Sequence, residues 1–167
     1  MAKRQRGERG TVAADLYDQP GHLIRRAHQI SVAAYSECVS REVTPLQYAI
    51  LRMVHEKPGI DQVTLARLIG LDNSTTALTA ARLQTKGLLL RETVPTDRRQ
   101  LRLSLSAEGE HMIQSLVTNV HRMREQLLGS LDADERELLM QLLRKFVRLN
   151  NEQSPAPLRR EATNEDG

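Results

Sequence analysis

Apolar residues recur at the spacing of an α-helix over two parts of the chain, residues 15–43 and residues 106–150. In the first part, Pro20 marks either a break or the first turn of a helix. In the second part, Ser106 is the expected N-cap of one long helix and Asp132 that of the last one. The apolar stripes are wide for helices on the outside of a small protein, so one chain cannot cover them. This excess predicts a homodimer.

Between these two parts the helical patterns are shorter and have clear stops. Thr44 is the expected N-cap of the first short helix. Gly70 ends a helix and Asp72 begins the next almost at once, which predicts two helices joined by a tight turn. Gly87 ends the second of these helices. The spacing therefore predicts a helix-turn-helix.

The pattern changes from helical to alternating directly after this helix-turn-helix. An apolar run at 88–90 is followed by a turn-rich segment, 91–100, that contains Pro95. Apolar and polar residues then alternate over 101–105, which is typical of a strand. A helix-turn-helix with an appended β-hairpin is a winged helix.

The predicted fold is mainly α with a small β-hairpin wing. A winged helix-turn-helix lobe occupies 44–105, and the N- and C-terminal helices, 15–43 and 106–150, form a dimerisation domain. Residues 1–14 are polar, basic and glycine-containing, so we expect a disordered basic arm that either adds phosphate contacts or only aids solubility. Residues 151–167 are polar and contain prolines, which predicts a flexible tail.

Composition narrows the class of protein further. A chain of 167 residues buries a sufficient core without disulfides or metals. Aromatic residues make up 2%, so aliphatic side chains must fill this core. The net charge of +3 and the pI near 9.3 are compatible with nucleic acid binding. The chain has no apolar run long enough for a membrane span and no signal-peptide core after its basic start, so we expect a cytoplasmic protein.

The second helix of the helix-turn-helix has the chemistry of a recognition helix. Small or polar side chains near its start suit the major groove: Asn73, Ser74, Thr75 and Thr76. Arg82 is placed for a phosphate or a base edge. Leu78 is either core or an outward contact to a thymine methyl group, and we favour the outward position because Ala80 and Leu83 already define an inner face.

The predicted hairpin carries arginines at its tip. Arg98 and Arg99 supply the positive charge that the narrow minor groove of A/T-rich DNA attracts. Asp97 can pair with an arginine and orient it. Two arginines in a solvated turn are the ordinary alternative, but their position directly after a recognition-like helix favours DNA binding.

A polar band runs along the first predicted helix. Its members, His22, Arg25, Arg26 and Gln29, recur at helical spacing. Such a band is usually a solvated face. It could instead line a pocket, because His22 and Arg26 lie one turn apart and can both bind a carboxylate.

These residues together resemble the MarR family of bacterial transcription regulators. The resemblance rests on Leu71-Asp72, Arg82-Leu83, Lys86-Gly87-Leu88, Arg91-Glu92, Asp97-Arg98-Arg99 and Leu105-Ser106-Ala107-Glu108-Gly109. It implies a dimeric winged helix that binds a palindromic operator on double-stranded DNA and releases it when a ligand binds. By position, Thr75, Ala77 and Leu78 would face the bases, and Arg99 would enter the minor groove. The family often has a basic or polar residue where Leu78 stands, a departure that bears on the operator sequence.

The resemblance also implies an effector pocket between the dimer helices and the DNA-binding lobe. By position it would draw on His22, Arg25, Arg26, His28, Gln29, Tyr48 and His111. The segment 20–29 is similar to the first helix of members that respond to small aromatic acids. The implied effector is therefore an aromatic or heteroaromatic carboxylate, and the implied activity is that of a repressor.

Four alternatives compete with this hypothesis. A redox-sensing repressor would use Cys38, the single cysteine, although its place late in a helix is also that of an ordinary apolar residue. A regulator without a small-molecule effector is a second alternative. An enzyme is not expected, because the five histidines lack metal-ligand spacing and the chain has no phosphate loop or nucleophile elbow. We therefore expect no cofactor and no metal. A structural helical protein would not need the arginine-tipped hairpin.

Overall fold

The computed structural model describes residues 12–94 and 97–159, with side chains for 15–93 and 101–159. Within these residues the chain forms helices and strands in this order: α1 (Val12–Tyr17), α2 (Pro20–Cys38), α3 (Pro45–Glu56), β1 (Ile60–Asp61), α4 (Gln62–Ile69), α5 (Asn73–Thr85), β2 (Leu89–Val94), β3 (Asp97–Leu105), α6 (Ala107–Leu127) and α7 (Ala133–Asn150). The predicted arm lies outside the described residues up to Thr11, and α1 includes its last three residues. We call α3 to β3 the central lobe, and α1, α2, α6 and α7 the flanking helices.

Local capping chemistry sets where most helices begin, as the sequence predicts. Thr44 Oγ1 accepts the backbone N–H of Gln47 at 3.2 Å, and Gln47 Oε1 accepts the N–H of Thr44 at 3.1 Å. Asp132 and Glu135 form the same reciprocal pair at 2.9 Å in both directions. Ser106 Oγ accepts the N–H of Gly109 at 3.0 Å. Each cap satisfies N–H groups that a helix start leaves unpaired.

The first predicted helix, 15–43, is two helices and a connection. Pro20 is the first residue of α2, where its missing N–H costs nothing. The helix ends at Cys38, and Ser40 Oγ then accepts the N–H groups of Glu42 and Val43 at 3.1 and 3.0 Å. A serine hydroxyl that binds the backbone two or three residues on favours a turn over a helix.

The sheet has three antiparallel strands in the order β1-β3-β2, with β3 in the centre. Leu103 pairs with Ile60 on one side and with Arg91 on the other. The sequence does not predict β1, which is only two residues long. The segment predicted as a turn-rich loop, 91–100, is mostly strand, because a two-stranded ribbon whose faces are both polar shows no alternation.

The hydrophobic core lies in the central lobe and extends under α2 and α6. Its fully buried side chains include Ile50, Leu51, Leu65, Leu83, Leu89, Leu103, Ile113 and Leu116. Gly109 lets α6 approach this core closely, since a Cβ at that position would lie 2.1 Å from the carbonyl oxygen of Leu88. The flanking helix α6 is therefore seated directly on the lobe.

The helix α7 differs from α6, because it buries none of its residues in the part of the chain that the structure describes. Its exposed apolar side chains are Leu138, Leu142, Leu143, Phe146, Val147 and Leu149. A second exposed apolar set lies on α1 and α2: Leu16, Tyr17, Leu23, Ile24, Ile30 and Val32. No helix in 12–94 or 97–159 has both the length and the hydropathy to cross a bilayer.

The segment after α7 differs from the flexible tail predicted for 151–167. Residues Asn151–Gln153 form a 3-10 turn, and the chain then folds back so that Leu158 and Arg159 hydrogen-bond to protein groups. The side chain of Asn151 supplies two of these bonds, which composition alone does not reveal. Residues 160–167 lie outside the described residues.

Candidate DNA interface and effector region

The recognition-like helix α5 begins at a fully formed cap. Asp72 Oδ1 accepts the N–H of Thr75 at 2.8 Å, and the Thr75 hydroxyl donates to Asp72 Oδ2 at 2.6 Å. These hydrogen bonds lower the pKa of the Asp72 carboxyl below its ordinary value. The ionised carboxylate also interacts favourably with the positive end of the helix dipole. The first turn of α5 is therefore fixed in place.

One face of α5 is packed against the core, and it includes a residue that the sequence places at the DNA. Thr76 is 0% exposed, and its hydroxyl donates to the carbonyl oxygen of Asp72 at 2.9 Å. The assignment of Thr76 to the DNA-contacting set is therefore wrong. Helical spacing could have predicted the burial of Thr76, because Thr76 lies four residues before Ala80 and seven before Leu83, both of which are buried.

The opposite face of α5 is open. Ser74, Leu78 and Arg82 lie four residues apart and form one exposed stripe beside the exposed Asn73. Leu78 is 55% exposed, which confirms its predicted outward direction. Thr75 and Ala77 are partly exposed on the same side. This face carries small, polar, apolar and cationic groups, which are the types of side chain that reach base edges and phosphates from a helix in the major groove.

The wing has an irregular end. Thr93 pairs with Leu101, but the next residue, Val94, pairs with Asp97. Three residues of β3 are therefore inserted between consecutive partners of β2, and Arg98 and Arg99 are among them. Their backbone is part of β3, while the side chains of Asp97, Arg98 and Arg99 lie outside the described residues. An insertion of this kind bends and twists a strand.

Both junctions between the central lobe and the flanking helices touch the C-terminal end of α5. The Lys86 ammonium group donates to the carbonyl oxygen of Glu42, just before α3, and approaches Gln47 Oε1 at 3.4 Å. The Ser106 hydroxyl, at the start of α6, donates to the carbonyl oxygen of Gly87 at 2.5 Å. A movement of α2 or α6 therefore reaches the recognition-like helix through direct contacts.

The polar band of α2 forms as its spacing predicts. Arg25 Nη2 lies 3.3 Å from His22 Nδ1, and Arg26 Nη1 donates to Gln29 Oε1 at 2.9 Å. The ring of Tyr17 meets the His22 ring edge-on, with centroids 5.6 Å apart. All four band residues are exposed or partly exposed. In one chain this band is a solvated cationic face.

The other three predicted effector residues are not brought to this band. Tyr48 lies on α3 under the opposite side of α2. His28 is exposed and lies two turns before Tyr35, on the side of α2 away from the band. His111 is exposed on α6, about 200° around the helix from the buried Ile113. The structure therefore divides the seven predicted residues among separate surfaces.

Tyr35 is a candidate that sequence reasoning missed. It is 4% exposed, and its hydroxyl has no hydrogen-bond partner among the described residues. Its ring centroid lies 6.2 Å from that of Tyr48. Burial, with a smaller contribution from Tyr48, raises the pKa of Tyr35 to about 12. An unpaired buried hydroxyl costs roughly 1–3 kcal/mol, so a polar group that reached it would be stabilised.

Two further sites carry less chemistry. Cys38 is half-buried, and its thiol donates to Gln126 Oε1 of α6 at 3.0 Å. A cleft of about 820 Å³ between α7 and residues 151–158 contains none of the predicted effector residues. Its walls include the exposed apolar face of α7. No group of three His, Cys, Asp or Glu residues in the described chain is placed to hold a metal ion.

Comparison with known proteins places this architecture. The sequence profile of the MarR family matches residues 43–101. The transcriptional regulator HosA of Escherichia coli O111:H- is 35% identical over 126 residues, which cover 75% of this chain and 93% of HosA. The chain belongs to the MarR family. It is thus a DNA-binding transcription regulator with a winged-helix fold.

Solved structures of this family match most of the chain. The crystal structure of PcaV from Streptomyces coelicolor in complex with its natural ligand has a TM-score of 0.75 and 37% identity, covering 80% of this chain and 95% of PcaV. BpsR of Bordetella bronchiseptica, whose DNA binding is regulated by 6-hydroxynicotinic acid, has a TM-score of 0.71 and 27% identity. That likeness covers 77% of this chain and 98% of BpsR. The winged helix and its flanking helices are therefore confirmed as a MarR-type fold.

Proposed function

We propose that this MarR-family regulator is a cytoplasmic repressor that binds a palindromic operator as a homodimer and leaves it when a small aromatic or heteroaromatic acid binds. The observation that carries the DNA part is the exposed stripe of α5 behind a formed Asp72 cap. Asn73, Ser74, Ala77 and Leu78 contact base edges in the major groove, and Arg82 contacts the backbone. Arg98 and Arg99, oriented by Asp97, approach the adjacent minor groove.

The exposed apolar faces support the homodimer. Phe146, on α7, is 53% exposed, and comparable apolar side chains extend along α7 and α2. Contiguous apolar surface of this kind is unusual on a monomer and typical of an interface between copies. A second chain would bury both faces. It would also hold two recognition helices about 34 Å apart, one turn of DNA.

The cationic band of α2 supports the effector class. Arg25 and Arg26 provide two positive charges beside an apolar helix face, and His22 lies 3.3 Å from Arg25, an arrangement that suits an aromatic ring with a carboxylate. Two relatives have small ligands. PcaV was solved in complex with its natural ligand, and the DNA binding of BpsR is regulated by 6-hydroxynicotinic acid. We place the carboxylate at Arg26, with Gln29 beside it, in a site that the second protomer encloses.

The contacts at the end of α5 provide a route for the signal. A ligand held at α2 would shift the connection 39–43, whose Glu42 carbonyl accepts from Lys86. Lys86 caps α5, so the spacing of the two recognition helices would change. The ligand then favours a dimer whose spacing no longer matches one turn of DNA, which is a shift between two populations.

The DNA part is tested by selecting duplexes from a random pool with the purified protein. The expected product is an inverted repeat with half-sites about 10 base pairs apart. The selected duplex is then titrated with benzoate, cinnamate, nicotinate and 6-hydroxynicotinate while fluorescence anisotropy reports binding. Benzamide, which lacks the charge, is the control. Release by at least one carboxylate but not by benzamide is the expected result.

Two substitutions locate the effector. Arg26→Ala should leave affinity for the selected duplex unchanged and raise the ligand concentration needed for release about tenfold, because a charge-assisted hydrogen bond is lost. Tyr35→Phe removes only the unpaired hydroxyl and should leave the response unchanged. The reverse result would move the site to the Tyr35 side of α2. If no acid releases DNA but peroxide does, and Cys38→Ser abolishes that release, the redox alternative holds.

A further inference from the structure

The residues after α7 form a closed loop. Asn151 Oδ1 accepts the backbone N–H of Leu158 at 2.9 Å, and Asn151 Nδ2 donates to the carbonyl oxygen of the same residue at 3.1 Å. One side-chain amide thus pairs with both backbone groups of Leu158, as a neighbouring strand would. We call residues 151–159 the C-terminal strap.

An ion pair closes the strap a second time. Arg159 Nη2 donates to Glu152 Oε2 at 2.8 Å, and Nη1 contacts the other carboxylate oxygen. Both side chains are exposed, so this pair contributes little energy. Its two parallel hydrogen bonds nevertheless fix the relative direction of the two ends of the strap.

The strap ends on the turn of the helix-turn-helix. The N–H of Arg159 donates to the carbonyl oxygen of Arg67 at 2.8 Å. Arg67 lies in the last turn of α4, where carbonyl groups have no partner within the helix. Gly70, which ends α4 with a φ of 68°, lies beneath the strap, since a Cβ there would be 3.5 Å from Leu158 Cβ and from the Ala156 carbonyl oxygen.

These contacts lie beside the N-terminal end of α5, which the two junctions between the lobe and the flanking helices do not contact. Lys86 and Ser106 bind the C-terminal end of α5, whereas Gly70 precedes its N-terminal end by three residues. We propose that the C-terminal strap is a positioning element that fastens this turn to the end of α7 and so orients the base-contacting end of α5. The flanking helices then restrain the recognition helix at both ends.

Two adjacent asparagines provide a matched test in the full-length protein. Asn151→Ala removes both side-chain hydrogen bonds to the backbone of Leu158. Asn150→Ala removes only a hydrogen bond from Asn150 Nδ2 to the Phe146 carbonyl within α7. Hydrogen exchange and affinity for a duplex selected from a random pool are measured on both. Asn151→Ala should accelerate exchange in 156–159 and 66–72 and weaken DNA binding about tenfold. Asn150→Ala should change neither.

Glu152→Gln is the second variant, since it breaks the ion pair with Arg159 and keeps the hydrogen bonds between Asn151 and Leu158. It should change exchange and affinity in the same direction by less, and its effect should not add fully to that of Asn151→Ala, because both act on one loop. Faster exchange in Asn151→Ala with unchanged DNA affinity would overturn the proposal. So would rapid exchange of residues 156–159 in the unsubstituted protein.

Discussion

The central lobe and the helix α7 differ in how far they bury their apolar residues. In the lobe, Ile50, Leu83 and Leu103 are fully buried within one chain. In α7, whose caps and helical pattern are equally regular, the apolar side chains stay exposed, with Phe146 as the largest of them. The same kind of amphipathic helix thus completes a core in one region and leaves a surface in the other.

This difference separates two parts of the function. The lobe forms the exposed face of α5 and the wing from one continuous stretch, so the proposed DNA-contacting surface is formed within a single chain. The flanking helices leave apolar faces exposed in one chain, which the proposed second copy would cover, and the cationic band of α2 lies among them. We therefore expect the DNA contacts to be encoded locally, whereas the proposed response to an effector would depend on an assembly.

The largest expected effect comes from charge on the exposed face of α7. Phe146→Asp should weaken the dimer about a thousandfold, because symmetry places the substitution twice in one apolar interface. Leu78→Asp is the matched control, since Leu78 is equally exposed but lies on α5. It should abolish DNA binding and leave the dimer intact. Sedimentation over a concentration series measures the first effect. A dimer unchanged by Phe146→Asp would place the interface elsewhere.

A pair of glycines in the flanking helices compares a position packed on the lobe with an open one. Gly109→Ala should lower the free energy of unfolding by about 3 kcal/mol, since its Cβ would meet the Leu88 carbonyl oxygen at 2.1 Å. Gly21, in α2, has nothing within 4 Å of an added Cβ. Gly21→Ala should therefore be neutral or slightly stabilising. Urea denaturation measures both, and equal losses would contradict the close seating of α6 on the lobe.

The wing gives a smaller effect. Arg99→Ala should weaken binding to the selected duplex about tenfold and reduce its salt dependence, without changing the stability of the dimer. Arg122→Ala, an exposed arginine on α6, should leave both quantities unchanged. Anisotropy titrations at several salt concentrations make the measurement. Unchanged affinity of Arg99→Ala would show that the wing does not enter the minor groove.

The smallest effect is the pH dependence of the α5 cap. Hydrogen bonds from Thr75 lower the pKa of Asp72 in the folded state, so its stabilising contribution is present above the unfolded pKa. It is lost as the pH falls through the lowered folded value. Asp72→Asn should therefore be less stable than the unsubstituted protein near pH 7, and the difference should shrink below about pH 4. A difference that is constant with pH would contradict this role.

Local chemistry made most of the fold predictable. Thr44, Ser106 and Asp132 cap helices as expected, because a cap depends on residues within three positions of one another. Gly70 and Gly87 likewise adopt the left-handed conformation that ends a helix. The two-residue strand β1 was not predictable, since Ile60 and Asp61 pair with Leu103 and Arg102, more than 40 positions away.

The candidate site residues likewise divide into those that the sequence placed correctly and those that it did not. Leu78 was placed correctly from its neighbours, and Thr76 was placed wrongly because its hydroxyl suggested DNA although its spacing indicated the core. Tyr35 could not be found from sequence, because its unpaired hydroxyl appears only when α2 packs beside Tyr48. The seven effector positions were grouped by resemblance, while helical phase alone separates His28 from the band.

The central claim is that the lobe contacts DNA while the flanking helices form the dimer. It is tested most directly by varying the length of the DNA. Binding of Phe146→Asp and of the unsubstituted protein is compared on the full selected duplex and on a duplex that carries one half-site. The unsubstituted protein should prefer the full duplex strongly, and Phe146→Asp should bind the half-site equally well while losing that preference. Loss of half-site binding in Phe146→Asp, or a retained preference for the full duplex, would contradict the account.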